Sequence, residues 1–195
     1  MPTKIIAFAG SNRVGSINRI ALGFAVNGAS QSEAEVDVIA LHDYALPLYD
    51  ADWHGTHGVP EAARQLRAKM IAADGLLIAS PEYNSSITPL LKNTIDWLTQ
   101  SVSEGLGAGG GRLPFEGKIT GLMSASAGGF GGIRALPHVA SIFSNLGAVV
   151  LPIVAIPGGD KIVNADGTIG NARAVASLEA LGVSVAKLAS ATKHR

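Results

Sequence analysis

The sequence predicts an α/β fold: a five-stranded parallel sheet, sandwiched in three layers between helices. Three observations carry that expectation. Apolar runs alternate with longer amphipathic stretches along nearly all of the 195 residues, the pattern of repeated βαβ units. The run "GLLIAS" from Gly75 to Ser80 is continuously apolar, as a strand buried on both faces should be. Three loops rich in small and polar residues follow the first, third and fourth runs, where an open parallel sheet gathers its ligand groups.

Each element can be justified in turn. Ile5 to Ala9 is a first strand, and Ile17, Ile20, Ala21, Phe24 and Ala25 recur at helical spacing after it. Val36 to Leu41 alternates toward a second strand. Pro60 suits the first position of a second helix, in which Leu66 and Met70 stand one turn apart. Gly75 to Ser80 is the third strand. Thr88 and Pro89 form an N-cap and N1 pair for a third helix, striped by Leu91, Ile95 and Leu98. Gly117 to Ala125 is a fourth strand and Ile133 to Leu146 a fourth helix, with Gly147 as its C-terminal stop. Ala148 to Ile156 is a fifth strand that Pro152 compromises. Leu178, Leu181, Val185 and Leu188 mark a terminal helix. Five strands with helices on both faces suggest the flavodoxin-like order 2-1-3-4-5, in a single domain over residues 1–195. Two stretches fall outside the pattern: His42 to Val59, read as a long loop, and Val102 to Glu116, read as a glycine-rich surface insertion.

Composition narrows the function classes. Lys plus Arg equals Asp plus Glu, 15 against 15, so neither a nucleic-acid footprint nor an acidic docking surface is indicated. The chain has no cysteine, which excludes disulfides, thiol catalysis and Cys-ligated metals. The apolar N-terminus is too brief for a signal peptide. The longest apolar run, Gly147 to Ile156, falls short of the ~20 residues of a membrane helix. A soluble cytoplasmic protein is expected.

In the order 2-1-3-4-5, the loops after strands 1, 3 and 4 converge. The first, "GSNRVGSIN" from Gly10 to Asn18, has two glycines at P-loop spacing but Ser16 where that motif needs lysine. Its hydroxyls, its amides, Arg13 and the start of a helix suit one terminal phosphate; helix capping by Ser16 explains it equally well. The second, "SPEYNSSIT", offers Pro81, Tyr83 and Asn84 as a frame for a planar heterocycle, or else a tight turn with a surface tyrosine. The third, "SASAGGFGGIR", has so little side-chain bulk that its backbone could approach a flat ligand closely. Arg134 at its end could serve a ligand, a second substrate or a subunit contact. A monophosphate site beside a flat-ring site describes FMN, the ligand that this topology holds at its switch point. A competing feature is "DADWHGTH" (Asp50 to His57), whose spacing in a loop gives little support to a metal site.

With these loops placed, the sequence resembles the NADPH-dependent FMN reductase family, the flavodoxin-like group that includes bacterial quinone and chromate reductases. Its GSxRxxSxN signature stands here at Gly10 to Asn18, and its PEYNxSxPGxLKNAIDW signature at Pro81 to Trp97. Thr88-Pro89-Leu90 displaces the family's Pro-Gly. Weaker agreement occurs at "LPLYDAD", "GGIRA" and "NADGTI".

The resemblance implies phosphate contacts from Ser11, Arg13, Ser16 and Asn18, and places Ile17 in the cofactor site. It implies ring and ribityl contacts from Pro81, Glu82, Tyr83, Asn84 and Ser85, and further contacts from Ser126, Ala127 and Gly128. It implies NADPH or NADH as co-substrate, hydride transfer through bound FMN in two half-reactions, and no catalytic side chain. Quinones, chromate, azo compounds and free flavin all stand open as acceptors. It also implies a homodimer or homotetramer. The alternatives are a flavodoxin-type electron carrier, which the balanced charge disfavours, and a reductase that supplies reduced FMN to a partner oxygenase.

Overall fold

The structure, a computed structural model, describes residues 2–100 and 113–193. In chain order the elements are β1 (Lys4–Ala9), α1 (Ile17–Ser30), β2 (Glu35–Val38), α2 (Ala51–His57), α3 (Glu61–Ala72), β3 (Gly75–Ala79), α4 (Pro89–Gln100), β4 (Ile119–Ser126), α5 (Leu136–Asn145), β5 (Val149–Val150), β6 (Val154–Pro157) and α6 (Ala172–Lys193). Strand order is β2-β1-β3-β4-β5, every pairing is parallel, and β6 pairs with β4. The expected α/β class and order are those observed.

Alternation along β1 separates two cores. Ile5, Ala7 and Ala9 face Ala21, Leu22 and Ala25 of α1 and Leu178, Leu181 and Val185 of α6. Ile6 and Phe8 face Leu66 and Met70 of α3, Leu91 and Ile95 of α4, and Val139 and Phe143 of α5. Side chains that point to opposite faces at every second residue make both faces apolar, so helices cover both. On the first face, α1 and α6 meet backbone to backbone. A Cβ on Gly182 would lie 1.9 Å from the Ala25 carbonyl oxygen, and one on Gly28 would lie 2.1 Å from that of Glu179. Helix α6 is long and apolar enough to cross a membrane by length and composition; here its Val175, Leu178, Leu181 and Val185 are buried in this core.

Several expectations are corrected. The stretch from His42 to Val59 is not a continuous loop. It contains α2, whose first turn is capped by Asp50, with Oδ1 accepting from the Trp53 N–H at 2.8 Å. The segment before α2 is tied to α4, because the Pro47 carbonyl accepts from Trp97 Nε1 at 2.7 Å and from Asn93 Nδ2 at 2.9 Å. His57 stacks on Trp53 with ring centroids 4.4 Å apart, and its Nδ1 donates to the Trp53 carbonyl at 2.9 Å. No group of three or more metal-ligating side chains occurs among the described residues.

The fifth strand is split at Pro152, which has no N–H for the ladder. Its first part, β5, pairs with Ile119 and Thr120, and its second, β6, pairs with Met123 to Ser126. The second strand ends at Val38, and Leu41–Asp43 forms a 3-10 turn. Pro60 stands at the N-cap of α3, one place before the expected position. Helix α5 starts at Leu136, because Gly131 and Gly132 have φ of +59° and +82°. Gly147, at φ +83°, ends it as expected. The glycine-rich segment Gly105 to Gly111 lies outside the described residues.

Candidate functional site

The loops after β1, β3 and β4 meet at the carboxyl end of the sheet and are bonded to one another. Gly10 N–H donates to the Ala79 carbonyl at 2.9 Å. Thr88 Oγ1 donates to the Gly10 carbonyl at 2.8 Å and accepts from Leu91 N–H at 3.3 Å, so the expected α4 N-cap also ties the second loop to the first. A Cβ on Gly10 would lie 3.0 Å from that hydroxyl and 3.1 Å from Leu91 Cβ. This residue pair, Thr88-Pro89, occupies the place where the family pattern has Pro-Gly.

Asn18 joins the first loop to β4. Its Oδ1 accepts from Ala125 N–H at 3.0 Å and its Nδ2 donates to the Ala125 carbonyl at 2.8 Å. The ladder between β3 and β4 ends at Ala79 and Met123, with Ser80 N–H donating to the Met123 carbonyl. Alternate residues of a strand bond to the same neighbour, so Ala125 faces the side that the chain leaves at Pro81. The Asn18 amide, which has a peptide's donor and acceptor, takes the place of the next strand residue. Its side chain is therefore committed to the scaffold, and its backbone N–H is what it offers to the cleft.

Ser16 is the N-cap of α1, with extended backbone and no side-chain bond to the helix. Capping therefore does not account for its hydroxyl. The N–H groups of Ser16, Ile17 and Asn18 have no hydrogen-bond partner among the described residues. Ser11 and Ser16 are buried, Ser11 Oγ accepts from Arg13 N–H at 3.3 Å, and the exposed Arg13 guanidinium reaches the Gly15 carbonyl at 3.2 Å.

The second loop is a miniature hairpin. Tyr83 and Ser86 exchange two backbone hydrogen bonds of 3.0 Å each, around Asn84 and Ser85 at φ of +48° and +65°. Positive φ at both central positions is the geometry of a type I′ turn, which asparagine tolerates and serine accepts only under constraint. Ser86 Oγ lies 2.9 Å from His138 Nδ1 of α5, which fixes the hairpin to the third loop's helix.

Glu82 performs a related task. Its carboxylate accepts from Arg134 Nε at 2.7 Å, from Arg134 N–H at 3.0 Å and from Ala135 N–H at 3.3 Å, and it also contacts Arg134 Nη2. Arg134's hydrogen bond is the main reason that the Glu82 carboxyl titrates below its ordinary range. Arg134 also lies 4.9 Å over the Phe130 ring. Its role here is to brace the second and third loops.

These ties leave an open cleft of about 250 Å³. Ser11, Arg13, Ser16, Ile17 and Asn18 line it from the first loop, Pro81 and Tyr83 from the second, and Ala125, Ser126 and Ala127 from the third. Glu82, Asn84, Ser85 and Gly128 stand outside that lining, Gly128 with its N–H bonded to Ser126 Oγ at 3.1 Å. One end of the cleft carries hydroxyls, unpaired N–H groups, a helix start and one cation, with no carboxylate among the lining residues. That donor set fits a phosphate without a metal. The remainder is Pro81, Tyr83, Ala125, Ser126 and Ala127, mostly apolar surface with one hydroxyl, which fits a flat ring.

Thr88, Ala125 and His138 were not expected at the site. Thr88 carries only an N-cap signal in the sequence, and Ala125 and His138 carry no local signal of their contacts.

Comparison with known proteins agrees with this geometry. The family model of the NADPH-dependent FMN reductases matches residues 3–161. An NAD(P)H-dependent FMN reductase of Pseudomonas aeruginosa is 33% identical over 172 residues, covering 85% of this chain and 84% of that protein. A quinone reductase of Escherichia coli is 33% identical over 157 residues, covering 80% and 77%. Among solved structures, the flavoenzyme NAD(P)H:(acceptor) oxidoreductase FerB of Paracoccus denitrificans superposes with a TM-score of 0.77 at 23% identity, covering 96% of this chain and 97% of that one. An archaeal flavodoxin shares the fold with a TM-score of 0.61 at 14% identity, covering 96% and 99%. The chain belongs to the NADPH-dependent FMN reductase family.

Proposed function

We propose that this chain is an FMN-dependent oxidoreductase that takes electrons from NADPH or NADH and delivers them to a small acceptor of the quinone type. The observation that carries the reading is the cleft itself: a donor-rich phosphate end without a carboxylate at the start of α1, continuous with a mostly apolar end walled by Pro81, Tyr83 and Ala127. FMN bound there would supply the redox chemistry, two-electron transfer between NAD(P)H and the acceptor.

The chain's own residues bind and orient. Ser16 Oγ and the N–H groups of Ile17 and Asn18 hold the phosphate, assisted by Ser11 and Arg13. The hairpin from Tyr83 to Ser86 and the Glu82–Arg134 brace keep the ring end in one shape, so little ordering cost falls on binding. No side chain acts as nucleophile or general base. The relatives' names, FMN reductase and quinone reductase, support the acceptor class. The same reading includes a cytoplasmic homodimer or homotetramer that needs neither nucleic acid nor membrane.

The test is NADPH oxidation by FMN-loaded protein with a quinone and no protein partner. Turnover well above that of free FMN is expected. Its absence would overturn the reading and favour a carrier.

A further inference from the structure

The phosphate loop has a cleft on one side and a support on the other. Arg19, on the first turn of α1, extends Nη2 to the Ser11 carbonyl at 3.2 Å and to His42 Nδ1 at 3.2 Å. His42 Nε2 in turn lies 3.2 Å from Asp43 Oδ1. Arg19 does not line the cleft. It borders a separate apolar hollow of about 240 Å³ with Leu22, Val26 and Ile39. We infer that Arg19 is a positioning residue for the phosphate loop, and that His42 couples this support to pH. The inference rests on the proposed FMN site.

The peptide after Ser11 transmits the support. A trans peptide points its carbonyl and the following N–H in opposite directions. Arg19 holds the Ser11 carbonyl on its own side, which turns the Asn12 N–H away from it. That N–H has no partner among the described residues, and its neighbours Ser11 and Arg13 both line the cleft. Fixing the carbonyl therefore fixes one more donor of the phosphate loop without any contact between Arg19 and the ligand.

His42 enters because a guanidinium has donors only. The contact with Nδ1 requires a lone pair there, so neutral His42 carries its proton on Nε2, facing Asp43. The charged groups that the structure records against the ring are Arg19 from α1 and Asp43 from its own turn. Protonation at Nδ1 removes Arg19's acceptor and sets two like charges side by side. Arg19 then loses the geometry that holds Ser11, and the loop is less well shaped for phosphate at low pH. Histidine side chains in general change charge between about pH 8 and pH 5, so that range is the one to compare.

The test is fluorescence titration of apoprotein with FMN and, as a probe without phosphate, riboflavin. Wild type, Arg19→Gln, Arg19→Lys and His42→Gln would each be titrated at pH 8 and pH 5.5. At pH 8, Arg19→Gln should weaken FMN by about tenfold, the scale of one charge-assisted hydrogen bond, and leave riboflavin within about twofold. Arg19→Lys, which keeps a donor and the aliphatic stem, should fall between. FMN's own phosphate titrates in the same pH window, and it does so in every variant. The His42 contribution is therefore the extra loss in wild type relative to His42→Gln, expected at about threefold to tenfold. Equal weakening of FMN and riboflavin by Arg19→Gln, or no weakening, would overturn the positioning role. Identical pH profiles for wild type and His42→Gln would overturn the coupling, and this arm does not depend on how the Arg19 variants fold. Wild type that binds no FMN would instead sink the site reading beneath both.

Discussion

Asn18→Ala is the most informative single change to the scaffold under the cleft. Asn18 is 4% exposed, and its two bonds to Ala125 are 3.0 and 2.8 Å long. The alanine variant deletes both and leaves the Ala125 N–H and carbonyl without a partner at the end of β4. Each bond is worth about 1 kcal/mol net, and each buried group left unpaired costs about 1–3 kcal/mol. Water reaching the edge of the cleft offsets part of that, so the expected loss is about 2–4 kcal/mol. For a domain of this size that is roughly 5–12 °C in Tm. Asn18→Asp keeps the acceptor but faces the Ala125 carbonyl with a second one, so it should be at least as damaging at neutral pH. Thermal unfolding of the apoprotein, followed by circular dichroism, measures both variants with no contribution from ligand. A shift below about 2 °C for both would refute the strand-extension role and return Asn18 to the phosphate-contact role that the sequence suggested.

Two further outcomes follow from the same contacts. Ser16→Ala should change stability by less than about 0.5 kcal/mol, where loss of a bonded N-cap commonly costs ~1, because this hydroxyl makes no bond to its helix. The same change should weaken FMN about tenfold and leave riboflavin alone, read by the same titration. Glu82 gives a pH prediction. Its carboxyl is depressed in the folded protein by Arg134, so the stability it contributes is present above the unfolded value of about 4.3 and is lost as pH falls through the lower folded value. Urea midpoints measured between about pH 5 and pH 2.5 should therefore fall less steeply for Glu82→Gln than for wild type; equal slopes would refute the assignment.

The parts of the fold visible in the sequence are those set by periodicity. Continuous apolar runs and 3.6-residue stripes give the strands, the helices and hence the parallel order, and that order alone brings Gly10–Asn18, Ser80–Thr88 and Ser124–Gly132 to one end. Helix α2 was not visible because its seven residues include Gly55 and bury no stripe that a periodic window could register. Pro152 signalled trouble in the fifth strand without revealing that both halves still pair with β4. The role of Asn18 could not be read locally, since its partner lies 107 residues away and a peptide-mimicking amide looks the same in sequence as a ligand-binding one. The same holds for Glu82, whose acidic side chain turns from the cleft to Arg134. Asn84 and Ser85 have no glycine to announce the left-handed turn that they form. The cleft was thus legible as a place, while the division between residues that face a ligand and residues that hold the loops together required the structure.

The central claim, that this cleft binds FMN and uses it to carry electrons from NAD(P)H to a small acceptor, is tested most directly by steady-state NADPH oxidation with a quinone. FMN-loaded protein should consume NADPH and quinone in equal amounts, at a rate well above the same concentration of free FMN. A rate no greater than free FMN, from protein shown to hold the flavin, would contradict the account.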